Sequence, residues 1–389
     1  MIKETDVIII GAGIIGAAIG YYLTEKGKDV VVLEKHEMAA GATGACDQCV
    51  VMQSKIPGIH LEIALQSAYL YKKLARDLDL DIEYSACGGM IVIENAAELK
   101  IMEERVKKQC EGGLKVEILN AREAKKKQPQ LSDKVIAAAY SPHDAHVSSL
   151  KVTEAFLKKI VEKGGRVYNY TDVTGVMLQD EEVKGVYTSR GEIRGNYIIN
   201  AAGIHSPAIG RMIGLDIPVK PRRGQLVVTE PVATFAEQVT LSTKYLAAKH
   251  NPEILEDVEP RVKELGIGLA MEQTKKGNLL FGSTREFAGY DTGVTREGII
   301  GIIKNAVNLY PRLKDLHIIR CFSGLRPATP DGLPILGNVD KLNGFIIATG
   351  HEGDGICLAP ITGKLICQHI CGEKTDFDLS NFSLNRFAN

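Results

Sequence analysis

The sequence predicts an α/β protein of two lobes, one built on a parallel sheet flanked by helices, the other on a mixed, largely antiparallel sheet. Three observations lead there. A complete strand–glycine turn–helix–strand unit opens the chain and ends at Glu34. Two later apolar strands each run straight into a glycine turn. Two long intervening stretches carry short, strand-like apolar runs of their own.

In the opening unit, Asp6 to Ile10 reads as a short strand, and Gly11-Ala12-Gly13-Ile14-Ile15-Gly16 follows at once. A helical pattern runs from Ile14 to Lys26, Gly27 stops it, and Val30 to Leu33 makes a second apolar strand. Gly11 permits the tight turn, Gly13 leaves the backbone open to a pyrophosphate, and Gly16 lets the helix lie close on the strand. The helix N-terminus offers free N–H groups to the phosphates. Glu34 stands where a carboxylate accepts hydrogen bonds from both ribose hydroxyls, and it would repel a 2′-phosphate. The unit implies a dinucleotide; alone, it does not separate FAD from NAD.

Composition restricts the classes of partner. The 389 residues are 45% hydrophobic and 24% charged, an ordinary globular balance, with a formal net charge of −1. That balance supplies no long-range attraction for nucleic acid or an anionic membrane. Lys125-Lys126-Lys127 lies beside Arg122 and Glu123 and reads as a solvated helix face or loop. The apolar run from Val7 to Leu23 is interrupted by Gly11, Gly13, Gly16 and Gly20 and reads as strand, turn and helix, not as a signal or a membrane span. A cytoplasmic location is expected. The eight cysteines are scattered, several in apolar surroundings (Cys87, Cys321, Cys357, Cys367), which predicts reduced thiols. They show no four-ligand spacing for an iron–sulfur cluster, and no metal site is expected.

Three further segments point to the cofactor. Gly41-Ala42-Thr43-Gly44 is a small-residue loop just after the second strand. Tyr197 to Asn200 is an apolar strand running into Ala201-Ala202-Gly203. Phe345 to Thr349 is another, followed by Gly350-His351-Glu352-Gly353-Asp354-Gly355 and a helical pattern from Ile356 to Ile370. In content and order these stretches resemble the D-amino-acid-oxidase and glycine-oxidase superfamily of FAD-dependent oxidoreductases, over essentially the whole chain. The most specific match is Gly324-Leu325-Arg326-Pro327-Ala328-Thr329-Pro330-Asp331-Gly332-Leu333-Pro334, with Gly350-His351, Gly355 and Leu358-Ala359-Pro360 beyond it. Within the superfamily the chain is most similar to glycine oxidase, sarcosine oxidase β subunits, proline and hydroxyproline dehydrogenases and hydrogen cyanide synthase catalytic subunits.

The resemblance implies a Rossmann-like FAD-binding domain assembled from residues 1–80, 145–218 and 320–389, with 81–144 and 219–319 forming the substrate domain. FAD contacts are expected at Gly11, Gly13, Ile14, Ile15, Gly16, Glu34 and Lys35, then Gly41, Ala42 and Thr43. Others are expected at Val173, Ala201, Ala202 and Gly203, and at Arg326, Gly350, Glu352, Gly353, Asp354, Gly355 and Ile356. The late turn and its helix N-terminus would face the pyrimidine edge of the flavin and stabilise negative charge there. Ser148 to Glu162 reads as a helix stopped by Gly164 and Gly165, and Arg166 to Tyr170 as a strand leading to Val173, whose backbone would meet the adenine. The chain departs from the family where glycine oxidase carries an arginine after its histidine, since Gly353 and Asp354 stand there. It also has Ile204-His205 where a family tryptophan often follows the Ala-Ala-Gly turn.

The insertions carry strand-like runs at Gly88 to Ile93, Gln225 to Val228 and Leu279 to Thr284, with Tyr245, His250, Gln273 and Arg285 as polar candidates. Of these Tyr245 is taken as the site residue. Arg326 offers a planar fork to a substrate carboxylate; the competing role is a pairing with Asp331 or a backbone carbonyl, and the resemblance favours the anchor. His351 either tunes the flavin and selects the neutral amine or packs its ring and caps the turn. Cys46 and Cys49 form a C-x-x-C pair after the nucleotide unit, as in disulfide reductases. No second glycine fingerprint for NAD(P)H accompanies it, so buried thiols are the favoured reading.

The leading expectation is FAD-dependent oxidation of a small amino or imino acid. Electrons would pass to oxygen or to partner subunits carrying an iron–sulfur centre or a second flavin, as the heteromeric relatives imply. Oxidation of a 2-hydroxy acid, and a non-catalytic flavin electron-transfer subunit, are the alternatives.

Overall fold

The computed structural model describes residues 3–250, 260–340 and 342–388. In chain order its elements begin with β1 (Glu4–Ile10), α1 (Ile14–Glu25), β2 (Val30–Leu33), β3 (Cys49–Val50) and α2 (Ile59–Asp77). There follow β4 (Gly89–Ile93), α3 (Ala96–Glu111), β5 (Glu117–Asn120), α4 (Ala121–Lys127), β6 (Ala137–Ser141), β7 (Ala145–His146) and α5 (Ser149–Glu162). Next are β8 (Arg166–Tyr168), β9 (Val173–Gln179), β10 (Glu182–Thr188), β11 (Gly191–Asn200), α6 (Ser206–Arg211) and β12 (Lys220–Pro231). The last part holds β13 (Val239–Ser242), α7 (Thr243–His250), α8 (Pro260–Glu264), β14 (Ala270–Gln273), β15 (Asn278–Gly282) and α9 (Arg296–Leu309). β16 (Ile318–Ala328), β17 (Ile335–Val339), β18 (Leu342–Thr349) and α10 (Gly355–Ile370) complete it.

The first sheet has a parallel core, β8-β2-β1-β11-β18, with β17 antiparallel on β18 and the β9–β10 hairpin beside it. Its strands end level: Ile10 pairs with Leu33 and Asn200, Leu33 with Tyr168, and Asn200 with Ile347. Everything that follows those residues therefore gathers along one edge, where α/β sheets bind their ligands. The central strands read as unbroken apolar runs because both faces are covered. α1 packs on one face between α5 and α10. The approach is close because glycines allow it: a Cβ at Gly16 would lie 2.0 Å from the Gly11 carbonyl oxygen, and one at Gly363 would lie 2.7 Å from that of Ala18.

The second sheet runs β16-β12-β15-β14-β13-β4-β6-β5 and is antiparallel except between β4 and β13. Its core of Met90, Val92, Val227, Met271 and Phe281 is closed by α9 through Ile302, Ala306 and Leu309. One boundary differs from expectation. β16 pairs with β12 from Ile318 to Ala328, so the second sheet reaches past residue 319 and carries Arg326 itself. The Gly-Leu-Arg-Pro segment reads locally as cofactor-binding chain, but its backbone hydrogen bonds are made to β12.

Candidate functional site

Three turns meet at the carboxyl edge of the first sheet. Gly11 leaves β1 at φ 110°, and a Cβ there would lie 2.6 Å from the Ala201 carbonyl oxygen, so only glycine fits between β1 and the Ala201-Ala202-Gly203 turn. Ala201 donates its N–H to Ile10, and Thr349 Oγ1 donates to the Gly203 carbonyl, linking the turns after β11 and β18. Gly13 caps α1 with no side chain of its own, and Thr43 Oγ1 accepts from Ile14 N–H at 3.1 Å. A Cβ at Gly13 would meet that hydroxyl alone, at 3.2 Å, which leaves the mouth of α1 open to a large anion.

Glu34 turns its carboxylate back on this mouth, accepting from Ala12 N–H and His36 N–H, both at 2.9 Å. Thr171 N–H donates to the Glu34 carbonyl and Lys35 pairs with Asp172 at 3.1 Å, so the approach to Val173 is tied to the end of β2. Gly41, Ala42 and Thr43 form a tight turn whose continuation presses Ala45 onto β16: a Cβ at Gly324 would lie 2.0 Å from the Ala45 carbonyl oxygen.

The turn from Gly350 to Gly355 carries the electrostatics. α10 begins at Gly355 with no side-chain cap and no acid in its first turn, so the positive end of its dipole is open toward the turn. The side chains of Glu352 and Asp354, expected at the cofactor, point to protein partners instead. Glu352 accepts from Arg285 Nη1 at 2.5 Å and from Gly353 N–H at 2.6 Å. Asp354 is gripped by Lys55 and Lys249, each at 2.8 Å, and by His60 Nε2 at 3.1 Å. Burial alone would raise both carboxyls. Arg285, Arg326 and Lys249 outweigh it and hold Glu352 down to about 2, while Lys249 and Lys55 hold Asp354 well below the usual range.

Arg326 projects from β16 across Gly224 and donates from Nη2 to Ser283 Oγ at 2.7 Å and from Nη1 to the Thr284 carbonyl at 3.1 Å. Of the alternative partners read from sequence, Asp331 pairs with Arg386, whereas a backbone carbonyl, that of Thr284, does accept from Arg326. Arg326 Nε has no acceptor among the described residues and faces Gly353, where a Cβ would be 3.4 Å away. Arg285 stands beside it, 4% exposed, its guanidinium 4.7 Å from the centre of the Tyr245 ring. Tyr245 is buried, and burial pushes its phenol up to about 12.

His351 lies within the fold and shares a 3.0 Å hydrogen bond with Thr362 of α10; burial pulls its imidazole down to about 3. Of the other sequence candidates, Gln273 ties down the loop of Val232, Phe235 and Gly277, and His250 bonds the Ser54 carbonyl. Cys46 and Cys49 are free and bonded apart, to the Thr43 carbonyl and to Glu272 Oε2; burial, with Asp47 and Glu272, raises both thiols. Sequence reasoning passed over Arg222, Lys249, Lys55 and His60 and did not select Arg285. No local motif marks them, because each meets its partner only through the tertiary fold.

The residues present fit FAD. An uncapped helix mouth faces the glycine turn after β1, a second faces the turn after β18, and Glu34 at the end of β2 turns its carboxylate to the first of them. A family model described as FAD dependent oxidoreductase, DAO, matches residues 6–369. The chain belongs to that family.

This oxidoreductase is 30% identical to the hydrogen cyanide synthase subunit HcnC of Pseudomonas protegens, over 100% of this chain and 97% of that protein. It is 29% identical to the glycine oxidase of Geobacillus kaustophilus, over 99% and 98% of the two chains. Among solved structures, L-proline dehydrogenase from P. horikoshii matches at a TM-score of 0.90 and 26% identity, covering 100% of this chain and 98% of the other. The glycine oxidase structure from G. kaustophilus matches at 0.88 and 26%, over the whole of both chains. The cofactor is FAD, and both lobes are those of the family.

Proposed function

We propose that this oxidoreductase oxidises the C–N bond of a small amino or imino acid whose carboxylate is held by Arg326. The observation that carries the reading is the placement of Arg326 on β16 beside the Gly350–Gly355 turn, locked by Ser283 and Thr284 and with Nε still open. A guanidinium fixed on two bonds holds a carboxylate without losing its own orientation, and so sets the adjacent Cα in place. Bound FAD supplies the hydride acceptor at its N5. The Cα–H bond of the neutral amine breaks, the nitrogen lone pair forms C=N, and water hydrolyses the imine to the oxo product. With FAD bound, the uncapped start of α10 and the Arg285 charge would favour negative charge at this turn. The relatives named glycine oxidase and L-proline dehydrogenase support an amine as the electron donor.

Anaerobic mixing with glycine, sarcosine, proline, D-amino acids, imino diacids and 2-hydroxy acids tests the proposal. Loss of visible flavin absorbance with an amine is the expected result; reduction by 2-hydroxy acids alone contradicts it.

A further inference from the structure

We propose that the preferred substrate is an amine bearing two carboxylates, the second held by the unpaired edge of Arg285; this rests on Arg326 receiving the first. Three guanidinium groups, those of Arg222, Arg285 and Arg326, surround the Gly350–Gly355 turn, and one carboxylate, Glu352, answers them. Asp354 is paired directly with Lys55, Lys249 and His60 and makes no ion pair with the three arginines. The charges of Asp354 and then Asp47 also reach Arg285, and Asp47 forms no ion pair among the described residues.

The local surplus is positive and buried. Arg222 feels it: burial first, and then the like charge of Arg285, pull its guanidinium down to about 10. The donors are unmatched as well. Arg285 spends Nη1 on Glu352, but its buried Nε and Nη2 have no acceptor among the described residues. Those two atoms form the edge of a guanidinium that takes a carboxylate through two parallel hydrogen bonds. Leaving charged donors dry and unpaired is costly, so the position favours a ligand that supplies an anion. Arg285 Nη2 and Arg326 Nε also approach one place, lying 4.0 and 3.4 Å from where a Gly353 Cβ would be. The unpaired donors of the two guanidinium groups thus converge on Gly353, the span that an amine with a carboxylate on either side would bridge.

The test uses redox-inert ligands, so that binding is read apart from chemistry. The FAD-loaded protein is titrated with diglycolate and with methoxyacetate, dicarboxylate and monocarboxylate ethers of one skeleton, and the flavin absorbance change is followed. Diglycolate should bind at least tenfold tighter, and in Arg285→Met the ratio should fall to within threefold of one. Arg285→Lys, which keeps the charge and loses the fork, should fall between them and serves if the methionine variant does not fold. Equal binding by the two ligands in the unaltered protein, or a ratio that survives loss of Arg285, overturns the inference. Failure of the amine reading would look different: a retained dicarboxylate preference with no flavin reduction by iminodiacetate, sarcosine or proline.

Discussion

Arg285 and Glu352, which lie 67 positions apart in the chain, form a buried ion pair through Nη1 and Oε1 at 2.5 Å, with Glu352 held at φ 48° on the turn before α10. The pair ties the second lobe to the Gly350–Gly355 turn. It also leaves the remaining edge of Arg285 buried and unpaired among the described residues. Binding-site geometry and lobe attachment are thus two results of one contact.

The neighbouring acid makes a stability prediction. Asp354→Asn removes the carboxylate shared by Lys55 and Lys249, both buried, and leaves two ammonium groups facing each other. Breaking a buried pair from one side costs about 3–5 kcal/mol. Urea denaturation of Asp354→Asn should show a loss of that order; a change of less than about 1 kcal/mol, within the range of exposed pairs, would mean that the cluster is not structural.

Gly13 tests the cofactor cradle. Gly13→Val places a branched side chain in the mouth of α1, where a Cβ meets only Thr43 Oγ1. The far-ultraviolet circular dichroism should stay native while bound FAD, read from visible absorbance after purification, falls at least tenfold. Full FAD content would move the pyrophosphate elsewhere.

Glu272 should make stability depend on pH. It is 1% exposed, and burial, then the charge of Asp47, raise its carboxyl to about 8 although it accepts from Gln48 N–H and the Cys49 thiol. The unfolded chain releases this proton near the ordinary carboxylate value while the folded protein keeps it. Stability from this group is therefore present at low pH and is lost as pH rises toward 8, at up to about 1.4 kcal/mol per pH unit. Glu272→Gln should flatten that decline between pH 5 and 8 in urea melts. A variant that keeps the full slope would show that another group is responsible.

His351 makes a negative prediction for kinetics. With its imidazole at about 3 and bonded to Thr362, it stays neutral across the working range. The pH profile of kcat/KM for His351→Gln should keep its shape between pH 6 and 8, whatever the change in its height. Loss of an inflection near pH 6.5 would restore the histidine to the chemistry.

Much of this fold is legible in the sequence because it is written locally. Val30 to Leu33 is a strand with the predicted bounds, α1 starts at Ile14, and α5 is capped by Ser148 as its pattern requires. Strand ends followed by glycine turns place Gly11, Ala201 and Gly350 on one edge once the strands are parallel. The second lobe is read less completely. β16 looks like cofactor-binding chain, yet it pairs with β12 over its whole length, a long-range choice that periodicity does not encode. The same limit applies to the site. Arg326 is marked by its motif, whereas Arg222, Arg285, Lys249 and Lys55 acquire meaning only from Glu352 and Asp354, residues remote in the chain. His351 shows the converse, since a motif histidine beside the flavin turn is directed inward by Thr362.

The most direct measurement is anaerobic rapid mixing of the FAD-loaded protein with a dicarboxylic secondary amine and with sarcosine, for the unaltered chain and for Arg326→Ala. Flavin bleaching by the amines is expected, with a fall in kcat/KM of about 30-fold to 1000-fold in the variant, the equivalent of about 2–4 kcal/mol of charge-paired anchoring. Reduction that proceeds equally well without Arg326, or that follows only from 2-hydroxy acids, would contradict it.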